Sequence, residues 1–378
     1  MCLGLEMKHG SVCLDWYVHV PKVRHDLRSS GLTSFKYDID LGKVDLSANF
    51  DHGNSETAKL LTRMYHTEAE NVIISSEGAS GQNARIIRYV AERHPWRTEA
   101  IVEYPTHEPL LRQVQEYFGC VRRLERREKD GYRLDADALR KLVSGRTGLL
   151  MITNPHAPSG SLATMGELKD IMAVAREFGF FVVCDEIYAE FDRSVVPTIF
   201  SVDSEYGIVT TSFTKAFGLG GLKLGVALAQ GMLVNELYVD VLNTVGNSPN
   251  VVQLLASEIL KNGMEALERH KRRWRPVKRE TEQWLDRQGI EYFPNKLSVN
   301  YWAKLPVKDT CRWIDEHAVP KNDVAPLPGA FFLFKSGCEI VQSNMVRIGL
   351  GHVNPEGSDL PEALEAMEKA LETYCSTV

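Results

Sequence analysis

Between residues 72 and 211 the sequence alternates short apolar runs with stretches of helical periodicity, and this alternation limits the fold more than any other feature. The runs are bounded by turn residues and have the length of buried strands. Strand–helix alternation indicates a mostly parallel sheet with helices on both faces, so we predict an α/β fold. The predicted strands are 72–75, 100–104, 121–124, 149–153, 180–184 and 207–211, and the predicted helices are 83–93, 108–118 and 168–178.

Polar residues that could bind a ligand or take part in catalysis follow several of these strands. In a parallel sheet, ligands bind in the crevice at the carboxyl ends of the strands. The side chains and turns that follow the predicted strands should therefore lie in one crevice. They include the turn Gly78-Ala79-Ser80, then His107, Asn154, Asp185 and Tyr188, and the loop around Lys215.

Lys215 and Asp185 form the most specific pair. Lys215 lies in a loop rich in hydroxyls and glycines, and Asp185 ends an apolar strand one strand–helix unit earlier. Pyridoxal 5'-phosphate requires such a pair, because the amine forms a Schiff base and the acid keeps the pyridinium nitrogen protonated. The sequence thus predicts this cofactor.

The phosphate of such a cofactor needs donors. The turn Gly78-Ala79-Ser80 at a helix start offers backbone N–H groups and the helix dipole. Ser212 and Lys223, on either side of Lys215, could add a hydroxyl and a positive charge.

The phenolic oxygen of the cofactor needs donors as well. Asn154 leaves its strand just before a proline, so its amide should point into the crevice. Tyr188 follows Asp185 by three residues and could reach the same ring. Donors from Asn154 and Tyr188 would stabilise the phenolate anion.

Each residue also has a simpler explanation. Asp185 could cap a helix, Tyr188 could be core packing, and Lys215 could be a surface lysine. Asn154 could belong to an ordinary turn. The glycines at 218–225 lack the strand–turn–helix context of a dinucleotide site. The placement of these residues on successive strand ends favours the joint interpretation.

With these motifs the sequence resembles the class I/II aminotransferases of pyridoxal phosphate fold type I (the aspartate aminotransferase superfamily), from about Asp45 to the end. The matching motifs are Asn-Pro-x-x-Pro-x-Gly at 154–160, Asp-x-x-Tyr at 185–188, Ser-x-x-Lys at 212–215, and a late arginine, Arg347. The resemblance implies a large cofactor-binding domain (45–270), a small α+β domain (271–378), and an N-terminal arm with part of the small domain (1–44).

The resemblance also implies an activity: ping-pong transfer of an amino group between an L-amino acid and a 2-oxo acid, in a homodimer with sites at the interface. Lys215, Asp185 and Tyr188 would be catalytic, and Arg347 with Asn154 would bind the substrate, with Arg347 clamping its carboxylate. Trp16 and Tyr17 would lie on an arm exchanged between subunits. An amino-acid decarboxylase or β-lyase on the same scaffold is the alternative.

Three positions depart from the family pattern. Lys223 stands where the family usually has an arginine for the phosphate, so the positive charge remains but the bidentate geometry of a guanidinium is lost. His107 stands where an aromatic ring usually stacks on the cofactor. Near 49–53, Phe50 or His52 stands where a tyrosine usually reaches the partner's phosphate.

Composition and charge exclude several other classes of protein. A net charge of −6 argues against nucleic-acid and membrane partners. The seven cysteines are scattered without a CxxC pattern, which predicts reduced thiols in a cytoplasmic protein and no metal site. Residues 1–10 lack the apolar core of a signal peptide. A cationic run at 271–279 is interspersed with glutamates, so we expect a solvated helix face.

Overall fold

The computed structural model of the 378-residue chain describes residues 10–32, 36–38, 42, 55–247, 249–335, 340–354 and 356–376. The described part starts with helix α1 (Val12–His19) and strand β1 (His25–Ser29). A sheet of seven strands and a sheet of five strands form its framework. No helix in these ranges combines the length and the apolarity needed to cross a lipid bilayer.

The larger sheet carries the strand ends that the sequence singled out. Its strands are β2 (Val72–Ser75), β3 (Glu99–Tyr104), β4 (Cys120–Glu125), β5 (Thr147–Thr153), β6 (Phe181–Asp185), β7 (Gly207–Ser212) and β8 (Gly225–Leu228). The order is β2-β8-β7-β6-β5-β3-β4, with β3 to β7 parallel and β8 antiparallel to both neighbours. Every residue of β5 and β7 is buried, as expected for central strands covered on both faces.

Helices connect these strands. They are α2 (Ser55–Tyr65), α3 (Gly78–Arg93), α4 (Glu108–Tyr117), α5 (Ala136–Leu142), α6 (Met165–Phe178), α7 (Ile199–Val202), α8 (Gly231–Val245) and α9 (Asn250–Glu258). Helix α6 begins with a capping box between Thr164 and Glu167 and ends at Gly179, whose φ of 68° closes the turn. The turn at Gly179 feeds directly into β6, and so determines where Asp185 emerges.

The smaller sheet combines strands from both ends of the chain. A π-helical turn (Ile259–Gly263) joins α9 to the long helix α10 (Met264–Arg287). Then follow β9 (Glu291–Phe293), β10 (Asn300–Lys304), α11 (Thr310–Trp313), α12 (Val319–Asn322), β11 (Val324–Pro328), β12 (Met345–Leu350) and α13 (Leu360–Cys375). The strand order is β1-β11-β12-β10-β9, so the N-terminal β1 lies at one edge.

The α/β prediction is confirmed, with corrections in detail. Helix α3 begins at Gly78, earlier than the predicted 83. The sequence missed β1, β8 and β11, which have short or proline-containing patterns. Residues Gly329–Phe332 form a 3₁₀ turn whose residues are all buried, within an apolar run that could equally have formed a strand. A continuous apolar run has no period that separates the two conformations.

The N-terminal segment also differs from its prediction. Trp16 was expected on an arm that reaches a partner subunit. Its side chain is instead 1% exposed within its own chain and packs on Phe331, with 5.5 Å between ring centroids. Helix α1 is therefore part of the core that surrounds the small sheet.

Candidate active site

The register of the large sheet aligns the predicted strand ends. Thr153, Asp185 and Thr210 are neighbours across β5, β6 and β7. Asn154, immediately after β5, donates its backbone N–H to the carbonyl of Asp185 at 3.1 Å. The structure thus brings the Asn154, Asp185 and Lys215 segments to one edge of the sheet.

Asp185 is buried and firmly oriented. Its Oδ2 accepts a hydrogen bond from Asn83 Nδ2 at 2.8 Å, and its Oδ1 accepts from the N–H of Ile187 at 3.0 Å. Asn83 is itself fixed by Thr210, whose hydroxyl donates to Asn83 Oδ1 at 2.6 Å. Burial raises the pKa of Asp185 to about 6, and the two donors and the Lys215 cation oppose that rise.

Sequence reasoning missed Asn83, although the helix that contains it was predicted to begin there. A polar residue on the face of α3 that meets the sheet would have been the available signal, since buried amides need partners. Asn83 Nδ2 and the backbone of Ile187 together explain why the carboxylate of Asp185 has one orientation.

The side chain of Lys215 is closely packed, and its amine is largely removed from solvent. Its Nζ donates to Ser30 Oγ at 2.8 Å. Burial lowers the pKa of Lys215, and the cations Arg347 and Lys223 lower it further, against the opposing influence of Tyr188 and Asp185. A Cβ at Gly31 would lie 3.0 Å from the Cα and Cδ of Lys215, so a larger residue there would crowd the lysine.

Ser30 and Gly31 were not predicted, because they belong to the far N-terminal part of the chain. They come after β1, which lies in the smaller sheet. The Lys215 amine therefore lies where the two sheets meet.

The turn at Gly78 gathers the predicted phosphate donors. A Cβ at Gly78, whose φ is 67°, would lie 3.8 to 4.0 Å from Ser212 Oγ, Thr214 Oγ1 and Lys223 Cδ. Ser212 Oγ and Thr214 Oγ1 are hydrogen-bonded to each other at 2.5 Å, and Thr214 is a further hydroxyl that the sequence analysis missed. The geometry leaves a small polar recess beside the first turn of α3.

Backbone donors at this turn are partly used. The N–H of Gly78 donates to the carbonyl of Lys223 at 2.7 Å, so it serves the turn and not a ligand. The N–H groups of Ala79 and Ser80 are first-turn donors without intrahelical acceptors. Lys223 itself has a φ of 53°, a left-handed conformation that side-chain-bearing residues rarely adopt.

Asn154 and Tyr188 are both buried against the large sheet. Asn154 Nδ2 donates to the carbonyl of Pro197 at 2.8 Å, and its Oδ1 accepts from the N–H of Ala163 at 3.0 Å. These bonds fix the amide plane and leave one of its two N–H groups for a ligand. Tyr188 is 9% exposed, and its ring stacks on Phe191.

Arg347 approaches from the smaller sheet. It lies on β12, its guanidinium is 5.4 Å from the ring centroid of Phe332, and its Nη2 donates to the carbonyl of Arg28 at 2.8 Å. Tyr17 donates its hydroxyl to the same carbonyl at 2.9 Å. Within the described ranges, Arg347 Nε is buried without a hydrogen-bond acceptor, which leaves a cationic donor for an anion.

His107 also lies near Phe332. The two ring centroids are 6.0 Å apart, and His107 Nδ1 is buried with no partner in the described part of the chain. Burial, with the nearby Arg347 and Lys215 cations, lowers the pKa of His107 to about 3. The imidazole is therefore neutral at ordinary pH.

Helix α1 covers the arginine side of the site because a buried carboxylate holds its first turn. Glu108 accepts hydrogen bonds from Ser11 Oγ and from the backbone N–H groups of Val12 and Cys13. A carboxylate at a helix N-terminus is favoured by the exposed N–H groups and the dipole. Since Glu108 follows His107 directly, this contact joins α1 to the site.

These two sheets with their connecting helices define the class: the fold is that of fold type I pyridoxal phosphate enzymes. A pyridoxal phosphate-dependent aminotransferase from Streptococcus suis superposes with a TM-score of 0.82 at 19% identity, over 98% of this chain and 99% of that one. Aspartate aminotransferase from Thermus thermophilus gives a TM-score of 0.72 at 19% identity, over 86% and 82%. At this identity the likeness establishes the fold.

The family follows from the sequence. Residues 48–357 match the aminotransferase class I and II model, and the chain belongs to that family. Histidinol-phosphate aminotransferase 2 of Haemophilus influenzae is 32% identical over 159 residues, 41% of this chain and 42% of the relative. Aspartate aminotransferase of Pyrococcus abyssi is 26% identical over 253 residues, 65% and 62% of the two chains. The matched regions span about half the length of the curated relatives.

Family and fold imply pyridoxal 5'-phosphate as the cofactor, and the residues present fit it. The recess at Gly78 suits a phosphate, and the buried Asp185 suits a ring nitrogen cation. The unpartnered Arg347 Nε suits a carboxylate. Of the predicted site residues, Phe50 and His52 lie outside the described residues.

Proposed function

We propose that this protein is a pyridoxal 5'-phosphate-dependent aminotransferase that moves an amino group between an L-amino acid and a 2-oxo acid by a ping-pong mechanism. The main support is the environment of Lys215. Its amine is buried, has a lowered pKa, and lies under the influence of the Asp185 carboxylate and the Arg347 cation. A lysine amine with a lowered pKa, near an acid and an arginine, is suited to proton transfer next to a bound carboxylate.

The cofactor would be held by its phosphate, its ring nitrogen, its phenolic oxygen and the face of its ring. The N–H groups of Ala79 and Ser80, the recess at Gly78, and the side chains of Ser212, Thr214 and Lys223 would bind its phosphate. Asp185, fixed by Asn83, would face the ring nitrogen and hold a proton there. The free N–H of Asn154 and the hydroxyl of Tyr188 would donate to the phenolic oxygen, and His107 would lie against the ring. When bound, pyridoxal 5'-phosphate supplies an electron sink for the charge that develops at the substrate Cα.

The remaining steps belong to the protein. Arg347 would bind the substrate carboxylate through the unpartnered Nε, while Nη2 donates to the carbonyl of Arg28 and holds the guanidinium in place. Lys215 Nζ would accept the proton from the substrate Cα and would donate it to the former aldehyde carbon of the bound cofactor. Ser30 Oγ, the present acceptor of the amine, would keep Nζ in place between transfers. Helix α1, held by Glu108, would exclude water from the arginine side.

One experiment separates this activity from the decarboxylase and β-lyase alternatives. The cofactor-loaded protein is mixed with single amino acids without an acceptor, and absorbance and products are followed. We expect a 2-oxo acid and the pyridoxamine form of the cofactor in equal amounts. Carbon dioxide or ammonia release without the pyridoxamine form would overturn the proposal.

We further propose a homodimer in the cytoplasm, with domain boundaries near residues 45 and 270. Exposed apolar side chains on one face of α8 support the dimer: Met232, Val239 and Leu242 are 71%, 54% and 41% exposed at a spacing of seven and ten residues. Val239→Asp should give a monomer in light scattering. Val18→Asp, at a residue 78% exposed on α1, is the matched control and should stay dimeric. A monomeric parent protein would refute the dimer.

A further inference from the structure

A cavity separate from the candidate active site lies beside the Lys215 loop, against α10. Its volume is about 430 Å³, within the range of small-molecule sites. Leu32 lies in its wall, and the partly exposed Phe191, Met264 and Leu297 offer it apolar surface. None of the residues assigned to the cofactor or the substrate lines it. Because the N–H of Leu32 binds the carbonyl of Lys215 at 2.8 Å, the cavity adjoins the back of the catalytic loop.

The charge in this cavity is mainly positive. Its three carboxylates are Glu190, Asp192 and Glu268. Its six cationic side chains are Arg193, Lys271, Arg272, Arg275, Lys278 and Lys296. Four of the six come from the basic run on α10, which the sequence analysis interpreted only as a solvated face.

Only two of these six cations have a counter-ion among the described residues. Arg193 pairs with Glu190 at 2.5 Å, and Lys271 pairs with Glu268 at 2.8 Å. Arg272, Arg275 and Lys296 are exposed and make no ion pair with any described residue. An excess of unpaired charge around a concave surface attracts anions.

Buried donors in the wall point to the same ligand chemistry. Trp274 lines the cavity and is 2% exposed, yet its Nε1 has no acceptor among the described residues. The Nε of Arg193 is likewise buried without an acceptor. Since buried donors almost always have partners, these two require an oxygen-bearing ligand or ordered water.

We propose that this cavity binds a small organic dianion, with an acidic group among Arg272, Arg275 and Lys296 and an apolar part against Phe191 and Leu297. A phosphate monoester with a planar ring has this shape and charge. Its ring would contact Phe191, in the segment that follows Asp185, and would connect α10 to that segment of the active site.

Phenyl phosphate is a suitable probe, used with cofactor-saturated protein so that the cofactor's phosphate recess is filled. Calorimetry should give saturable binding, at least tenfold tighter than that of inorganic phosphate, and none with phenol. Equal binding of inorganic phosphate would refute the apolar contact. Absence of saturable binding would refute the site. The same titration of Lys215→Ala, loaded with cofactor, makes the result independent of catalysis.

Variants then locate the probe. Arg272→Ala combined with Arg275→Ala should raise the Kd at least tenfold. Arg279→Ala removes an exposed cation from the same helix outside the cavity, and should change the Kd less than twofold. Trp274→Phe keeps a ring and removes the N–H, so a rise in Kd of three- to tenfold is expected. Equal loss in Arg279→Ala would mean general charge attraction and would overturn the proposal.

Discussion

The two halves of the site are built in different ways. The cofactor half consists of strand ends of one parallel sheet, where Thr153, Asp185 and Thr210 are neighbours by register. The arginine half depends on long-range contacts, since Arg347 is held by the carbonyl of Arg28, 319 positions away. The first half is determined by local sequence and a regular sheet, whereas the second exists only after both ends of the chain have met.

The difference between the cofactor half and the arginine half has a functional consequence. Parallel strands buried on both faces fix the positions of Asp185 and Asn154 rigidly. The arginine half is closed by one helix, α1, whose first turn is tied to Glu108. We therefore expect substitutions in the cofactor half to affect chemistry, and substitutions in the arginine half to affect mainly substrate affinity.

The largest effect is expected for Lys215→Ala. Removing the amine should reduce the transamination rate by on the order of 10²–10⁴-fold or more, because proton transfer by a positioned group is lost. The visible absorbance of cofactor bound to the amine should disappear as well. Lys215→Arg, which keeps charge and size, is the matched control for folding and should be equally inactive. Retention of that absorbance in Lys215→Ala would show that another lysine holds the cofactor.

Substitutions of Arg347 test the arginine half of the site. Arg347→Ala should raise KM by roughly 10- to 100-fold, since a hydrogen bond to a charged group contributes about 1.5–3 kcal/mol. Arg347→Lys keeps the positive charge but not the bidentate geometry of the guanidinium, so its KM should lie between those of the parent and Arg347→Ala. The kcat should fall less than kcat/KM in both variants. A large fall in kcat with unchanged KM would contradict the division of labour between the halves.

The predictability of the site follows the same division. Asp185, Asn154 and Lys215 could be predicted because each follows a strand that its own apolar run reveals. Ser30 and Gly31 could not, because no local pattern shows that β1 joins the smaller sheet beside β11 and β12. Asn83 is intermediate: its helix was recognised, but a buried amide is identified only by the partners that surround it.

Asn83 permits a sharper test within the cofactor half. Asn83→Ala removes a donor from the buried Asp185 carboxylate and should destabilise the cofactor-free protein by about 1.5–3 kcal/mol at pH 8. Burial already raises the pKa of Asp185 to about 6, so the folded protein binds that proton more tightly than the unfolded chain. Below pH 6 the carboxyl becomes neutral, and the difference between variant and parent should shrink.

Urea unfolding at pH 8 and pH 5 measures this difference. Thr210→Val is the control, because it removes the bond to Asn83 but leaves Asn83 on Asp185. Its effect should be about 1 kcal/mol and independent of pH. A pH-independent loss in Asn83→Ala would mean that Asn83 contributes packing and does not stabilise the charged form of Asp185.

His107 lies between the two halves and should give the smallest effect. Its pKa of about 3 keeps the imidazole neutral throughout the working range, so it contributes a ring and no titration. His107→Phe retains the ring against Phe332 and removes the unpartnered Nδ1, which costs free energy when buried. We expect kcat within tenfold of the parent and an unchanged acidic limb in the pH profile of kcat/KM. If that limb moved or vanished in His107→Phe, the imidazole would titrate during turnover, and His107 would be a proton donor that joins the two halves chemically.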